Sequence, residues 1–325
     1  MLTEPSRLEM AHLPSYDQDD PVENAVITRL ARNWRRRATV KGAELDLDAL
    51  YESDRPDYPE GVLPFHDHPT YQALNPARRT KLLAWGMVAF NHDVMDLEQY
   101  LANPGFALLL NGEFPGVAGE DAHAAVAQAT VDEQYHTLMH LNSSAVIRRA
   151  RGWNLPAAAL PMSYKAIRHQ QLRDQAATDR FEQNLITLAF ATVAEVSISA
   201  LLHLIEDDIE IQPVHSTTAK LHNRDEYCHA AISAEMAKMV YRHLSTGQQH
   251  FFLTALAEGL MAFSTNDFSA WRRIVDLVGV TDGQRMIDDC EADLSRAQML
   301  TDYSGLYQLC QQMGVADRIE FPWSR

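Results

Sequence analysis

The chain has little cysteine, a shortage of positive charge and almost no strand-like alternation. Its three cysteines, Cys228, Cys290 and Cys310, have no Cys-x-x-Cys spacing. This excludes a zinc ribbon and a disulfide framework and points to a reducing compartment, so a cytoplasmic location is expected. Lys and Arg number 28 against 44 Asp and Glu, a net charge of −16. Most of such a surface repels phosphate, which excludes nucleic acid as a partner. No basic stretch leads into an apolar run after Met1, so no signal peptide is expected. No strand followed by Gly-x-Gly-x-x-Gly is present, so the chain lacks a flavin or nicotinamide fingerprint and any electrons it uses come from an external donor.

Long apolar runs are also scarce. The stretch from Ile186 to Ile205 has the length of a membrane span, but it carries Glu195 near its middle, and an unpaired carboxylate in lipid is costly. With no second span, it reads as a buried core helix, and no membrane partner is expected. No Pro/Gly/Ser-rich linker divides the 325 residues, 46% of which are hydrophobic. That is enough to bury a large core, and a single domain over 25–325 is expected after a polar, acidic segment, 1–24, that reads as mobile.

Against these absences stands one pattern that occurs twice. A lone glutamate in an apolar stretch is followed by Asp-Glu-x-x-His: Glu98 with Asp132-Glu133-Gln134-Tyr135-His136, then Glu195 with Asp225-Glu226-Tyr227-Cys228-His229. Residues three apart on an α-helix lie about 60° from one another, so each Glu/His pair serves one space. This is the ligand pattern of a two-metal site in a four-helix bundle, with the lone glutamates on the opposing helices. His222 lies on the same face as Glu226 and His229, which makes it a third imidazole. Oxygen and nitrogen donors of this charge suit iron or manganese better than a structural zinc. Asp132 and Asp225 are suited to accept the second ring N–H of a ligating histidine.

Helices are expected near 25–37, from 76 past Glu98, and near 120–150, 160–172, 180–206, 214–243 and 247–262. Three short helices are expected over 267–313, and a proline-rich wrap over 52–77. The fold class is therefore all-α, a ferritin-like four-helix bundle with additional flanking helices.

Other residues carry weaker signals. Glu120 and His123 repeat the Glu-x-x-His spacing but lie about 20 Å along the helix from Glu133 and face another way. His66 and His68 form a loop cluster without cysteine and read as solvated. His140 shares the face of Glu133 and His136, as a neighbour of the ligands or a hydrogen-bonded core histidine. Tyr100, Tyr135 and Tyr227 sit beside ligands in sequence but point away from them. Arg29, Arg32, Arg35, Arg36, Arg37 and Lys41 read as a solvated helix face, with docking of an acidic carrier protein or electron donor as the alternative.

With these residues in place the chain resembles the AurF-like di-iron N-oxygenases, the family of the p-aminobenzoate N-oxygenase and the arylamine oxygenase of chloramphenicol biosynthesis. The likeness covers residues 25–320. It is carried by Arg55-Pro-Asp-Tyr-Pro59, Leu63-Pro-Phe65, His68-Pro69, Phe114-Pro-Gly116, Val131-Asp-Glu-x-x-His-Thr137, Val193-Ala-Glu195 and Leu221-His-x-Arg-Asp-Glu-x-x-His229. The resemblance implies seven metal ligands, Glu98, Glu133, His136, Glu195, His222, Glu226 and His229, two iron ions, O2 as cosubstrate, and a homodimer. It also implies oxidation of a primary amine in natural-product biosynthesis, an arylamine by family with an amino-acid-derived or carrier-bound amine as the alternative, to a hydroxylamine and onward to nitroso or nitro products. Leu82 to Leu97 contains no Arg or Lys, which disfavours a free aromatic carboxylate as substrate. Two alternatives remain open from the ligand pattern itself: a di-iron hydroxylase or desaturase acting on carbon, and a ferritin-like ferroxidase.

Overall fold

The computed structural model describes residues 21–117, 119–153, 164–300 and 302–323. Its helices are, in chain order, α1 (Pro21–Arg37), α2 (Pro69–Gln72), α3 (Pro76–Leu97), α4 (Asn103–Leu110), α5 (Glu120–Ala150), α6 (Lys165–Ala176), α7 (Arg180–Leu202), α8 (Pro213–His243), α9 (Thr246–Ser264), α10 (Phe268–Val278), α11 (Gly283–Ala292) and α12 (Ser304–Gln312). No strand occurs among the described residues, only an isolated bridge between Thr265 and Gln298. The all-α expectation holds. Residues 1–20 of the segment expected to be mobile lie outside the described residues, while 21–24 belong to α1, which starts four residues earlier than its pattern suggests. α6 starts at 165 rather than 160, and 154–163 also lie outside the described residues.

Local chemistry explains where the long helices begin. Asn75 accepts the Arg78 amide hydrogen, and Pro76 fills the first turn, where its missing N–H costs nothing. Asp179 caps α7 by accepting from the Glu182 amide. Ser245 and Gln248 form a reciprocal capping box at α9.

α3 does not run straight into α4. One wider π-turn, Glu98–Ala102, joins them, with the Asn103 amide donating to the Glu98 carbonyl and the Asn103 side-chain amide donating to the same oxygen at 2.9 Å. Pro104 accounts for the break: it has no N–H for the ladder, and its ring crowds the carbonyl one turn earlier. Glu98 thus sits at the first position of an irregular turn.

α3, α5, α7 and α8 form the bundle. α3 packs on α5, α5 on α8 and α7 on α8, while α4 and the π-turn close against α7. α1 lies across α5 and α8, α10 covers α3, and α6 and α9 cover α7. α7 is long and apolar enough to cross a membrane, but 78% of its most apolar window is buried inside the fold. At the α4–α7 contact Gly105 is required, since a Cβ there would collide with the Ala191 methyl. Ala191 lies one turn before Glu195, so this close approach fixes the height at which Glu195 enters the bundle.

Candidate metal centre

The fold places Glu98 on the π-turn rather than within a continuous α-helix, Glu133 and His136 on α5, Glu195 on α7, and His222, Glu226 and His229 on α8. The fold brings all seven side chains into its interior, each 3% exposed or less. Their donor atoms fall into two groups, each within 4.8 Å. Glu98, Glu133, His136, His222 and Glu226 make the first; Glu133, Glu195, Glu226 and His229 make the second. Glu133 and Glu226 belong to both, the position of a bridging carboxylate.

The contacts inside these groups are close but are not ordinary hydrogen bonds throughout. His229 Nδ1 lies 2.5 Å from Glu133 Oε1, and His222 Nε2 lies 2.9 Å from Glu226 Oε1 and 3.2 Å from Glu98 Oε1. Yet Glu133 Oε1, Glu195 Oε2, Glu226 Oε2 and His222 Nε2 are buried without a hydrogen-bond partner among the described residues. Buried polar atoms left in that state are destabilising by roughly 1–3 kcal/mol each. Donors that crowd together while lacking hydrogen-bond geometry are aimed at a common point, and this set fits two cations. With oxygen and imidazole nitrogen and no sulfur, it suits iron or manganese.

Electrostatics point the same way. Burial, followed by the Glu133 charge, pushes Glu98 well above the carboxylate range. Burial with Glu133 and Glu226 does the same to Glu195. Burial alone would also raise Glu133, but His229 and His136 outweigh it and hold that carboxyl at about 2. Burial likewise opposes the charge of Glu226, which His229 and His222 hold well below its ordinary value. Burial opposes the charge on His136 and His229, but Glu133 and its neighbours keep both rings protonated well above the usual range. Without a cation, the cluster balances two shared carboxylates against two imidazolium rings. Metal ions would take the place of those protons.

The two aspartates face ring nitrogens in a crossed arrangement. His229 Nε2 lies 3.1 Å from Asp132 and His136 Nε2 lies 3.4 Å from Asp225, so each motif's aspartate holds the other motif's histidine. Both rings therefore present Nδ1 to the centre. A further layer comes from α1 and the turn after it: Trp34 Nε1 donates to Asp132 at 2.8 Å, the Thr39 amide donates to Asp225 at 2.9 Å, and Arg37 stands 4.0 Å from Asp225. Sequence reasoning saw in this helix only a basic face. Arg29, Arg32, Arg35 and Arg36 are indeed exposed, whereas Arg37 is turned inward and the Lys41 ammonium lies over the Trp34 ring.

The weaker signals resolve into structure. His68 caps α2 by accepting from the Thr70 amide, and His66 contacts the Leu63 carbonyl at 3.1 Å. Glu120 is an exposed acid in the first turn of α5. Tyr100 and Tyr227 are exposed, away from the donors. His140 is fully buried, 2.9 Å from His222 Nδ1, which places it beside a ligand candidate.

The family described as P-aminobenzoate N-oxygenase AurF matches this chain over residues 20–314. A 4-aminobenzoate N-oxygenase from Streptomyces thioluteus is 31% identical over 308 residues, spanning 94% of this chain and 90% of that protein. The match runs through all four bundle helices and every donor described above, and the chain belongs to the AurF family of N-oxygenases.

Proposed function

We propose that this chain is a di-iron N-oxygenase that uses O2 and an external electron donor to oxidise a primary amine, an arylamine by kinship, to a hydroxylamine and onward to nitroso or nitro products. The observation that carries the proposal is the paired donor set, in which Glu133 and Glu226 serve both groups. In this reading Glu98, His136 and His222 complete one iron site, and Glu195 and His229 complete the other. Bound there, the iron pair supplies the activation of O2. The chain's own residues hold the ions at fixed separation, exclude water and orient the amine.

The direction of substrate approach follows from the donors. All three imidazoles come from α5 and α8, whereas the π-turn after α3 and helix α7 each contribute a single carboxylate, so the less crowded side faces the α3 end and α7. A cavity of about 40 Å3 lies along α3 before Glu98, lined by Tyr58, Phe90, Asp93, Tyr164, Leu201 and Trp271 among others. That volume is close to one water's share of liquid, roughly 30 Å3, so a ring enters only as the walls part. No Lys or Arg lines it, and the nearby Arg168 is paired with Asp267 at 3.0 Å. Burial, with the charges of Asp267 and Asp96, pushes the Asp93 carboxyl well above the usual range. An aromatic box with two carboxyls, Asp93 and the Arg168-paired Asp267, and no Lys or Arg in its lining supports an arylamine that is neutral or bears a second hydrogen-bond donor, and disfavours a free ring carboxylate.

The proposal extends to a cytoplasmic homodimer in which 25–325 act as one domain. A carrier-bound amine would meet the exposed Arg29, Arg32, Arg35 and Arg36. The test is turnover of a panel of arylamines by the iron-loaded chain with a chemical reductant and O2, read by mass spectrometry. N-oxygenated products with an unchanged carbon skeleton are expected; carbon hydroxylation or desaturation would favour the alternative oxygenase reading. Light scattering settles the assembly, two chains being expected and a 24-chain cage identifying a ferroxidase.

A further inference from the structure

A file of buried polar groups runs from the metal centre toward the surface. His222 Nδ1 lies 2.9 Å from His140 Nε2. His140 Nδ1 lies 2.8 Å from Asn91 Oδ1. The Asn91 amide donates to Ser143 Oγ at 3.4 Å, Ser143 Oγ lies 2.9 Å from His215 Nδ1, and His215 Nε2 lies 3.4 Å from Asp57 Oδ1. Arg151 closes the file, donating to Asp57 Oδ2 at 2.7 Å with its own side chain 18% exposed. The six residues from His222 to Asp57 come from α3, α5, α8 and the proline-rich wrap, and each is 1% exposed or less.

The direction of every hydrogen in this file is forced from its outer end. Asp57, ion-paired with Arg151, only accepts, so His215 donates through Nε2. Burial keeps the His215 ring neutral by lowering its proton affinity, against the opposing pull of Asp57, so its Nδ1 accepts and the Ser143 hydroxyl donates to it. Ser143 has spent its one hydrogen and accepts from the Asn91 amide. That orientation presents Asn91 Oδ1 to His140, which donates from Nδ1 and accepts at Nε2. His222 then donates from Nδ1, leaving the Nε2 lone pair bare and facing Glu98 and Glu226.

We infer that this one-way hydrogen-bond file fixes the tautomer and aim of His222, making Asp57, His215, Ser143, Asn91 and His140 positioning residues for the third imidazole of the metal centre. The inference rests on the reading of His222 as a ligand, not on the identity of the amine. The other two histidines each lean on a carboxylate directly; His222 receives the influence of one through five intervening hydrogen bonds. Polarisation along such a file adds electron density to the ligating nitrogen.

The test uses the full chain with 15N-labelled histidine rings, followed by anaerobic titration with Fe2+ or Co2+. In the metal-free protein His222 and His140 are expected as single Nδ1–H tautomers and His215 as the Nε2–H tautomer. Ser143→Ala cuts the file away from the ligands and should leave His140 and His222 as tautomer mixtures, with the tight phase of metal binding weakened about tenfold. Asp57→Asn, which can donate as well as accept, should act in the same direction. Ser144→Ala is the matched control: Ser144 is buried on the same helix, and its hydroxyl has no partner among the described residues. Wild-type ring signals and affinity in both Ser143→Ala and Asp57→Asn would overturn the inference, as would equal changes in Ser144→Ala. Absence of metal uptake by the wild-type chain would overturn the ligand role of His222 and the inference with it. Amine oxidation enters none of these readouts, so failure of the proposed reaction is told apart from failure of the file.

Discussion

His229 Nε2 lies 3.1 Å from Asp132, the residue that precedes the glutamate of the opposite Asp-Glu-x-x-His motif. With His136 held in turn by Asp225, the two halves of the bundle orient each other's imidazoles. Asp132→Asn is therefore expected to weaken the ion held by Glu195 and His229, and Asp225→Asn the ion held by Glu98, His136 and His222, each by roughly tenfold to a hundredfold. Anaerobic metal titration with site-resolved spectroscopy checks this. If each variant instead weakened the ion served by its own motif's histidine, the crossed arrangement would be wrong.

Metal binding should be strongly pH-dependent. Glu98, Glu195, His136 and His229 all hold protons well above their ordinary ranges, so loading two ions displaces up to four protons and affinity rises with pH. The folded-state pKa values of these four groups exceed the unfolded ones. Their contribution to the metal-free fold is thus present below the unfolded values and lost as pH rises through the folded ones. Metal-free protein should melt at lower temperature near pH 9 than near pH 6, whereas the metal-loaded form should not share that loss. Calorimetry in buffers of different ionisation enthalpy counts the protons; none released would contradict the assignment.

Gly105→Ala should destabilise the chain by about 1–3 kcal/mol, because its methyl meets Ala191 across the α4–α7 contact. Thermal melting measures the cost. Since Ala191 lies one turn from Glu195, occupancy of the second metal should fall in the same variant; an unchanged melting temperature and full metal content would show that the helices can part freely.

Asp93 should select among amines. Asp93→Asn removes one of the two acids, the half-buried Asp93, from the aromatic cavity without changing its size, so relative turnover should shift toward carboxylated arylamines such as 4-aminobenzoate. Competition between carboxylated and uncarboxylated anilines, read as a ratio of kcat/KM, tests the shift. An unaltered ratio would place the substrate elsewhere.

The buried donor cluster and the helices bearing it were legible because helical spacing is local: Glu133 with His136, and His222 with Glu226 and His229, declare themselves within a few turns. The outer layers were not. Trp34 reaches Asp132 across 98 residues of sequence and Thr39 reaches Asp225 across 186, and nothing near Trp34 in sequence marks it. The His222–Asp57 file draws six residues from four segments far apart in sequence, so beyond His222 only His140, on the face of a visible motif, was a candidate. Nor does a composition count tell Arg37, turned inward, from its exposed neighbours. The π-turn left one clue, Pro104, whose effect depends on α7 lying close enough to hold the widened turn in place.

The central claim is that this cluster holds two irons that place oxygen on an amine nitrogen. The most direct measurement is single-turnover reaction of protein loaded anaerobically with two equivalents of Fe2+, using 18O2 and an uncarboxylated arylamine, with products followed by mass spectrometry. The account predicts a hydroxylamine or nitroso product carrying 18O on nitrogen, lost in Glu226→Ala. Unlabelled amine recovered intact, with iron uptake far beyond two per chain, would contradict it.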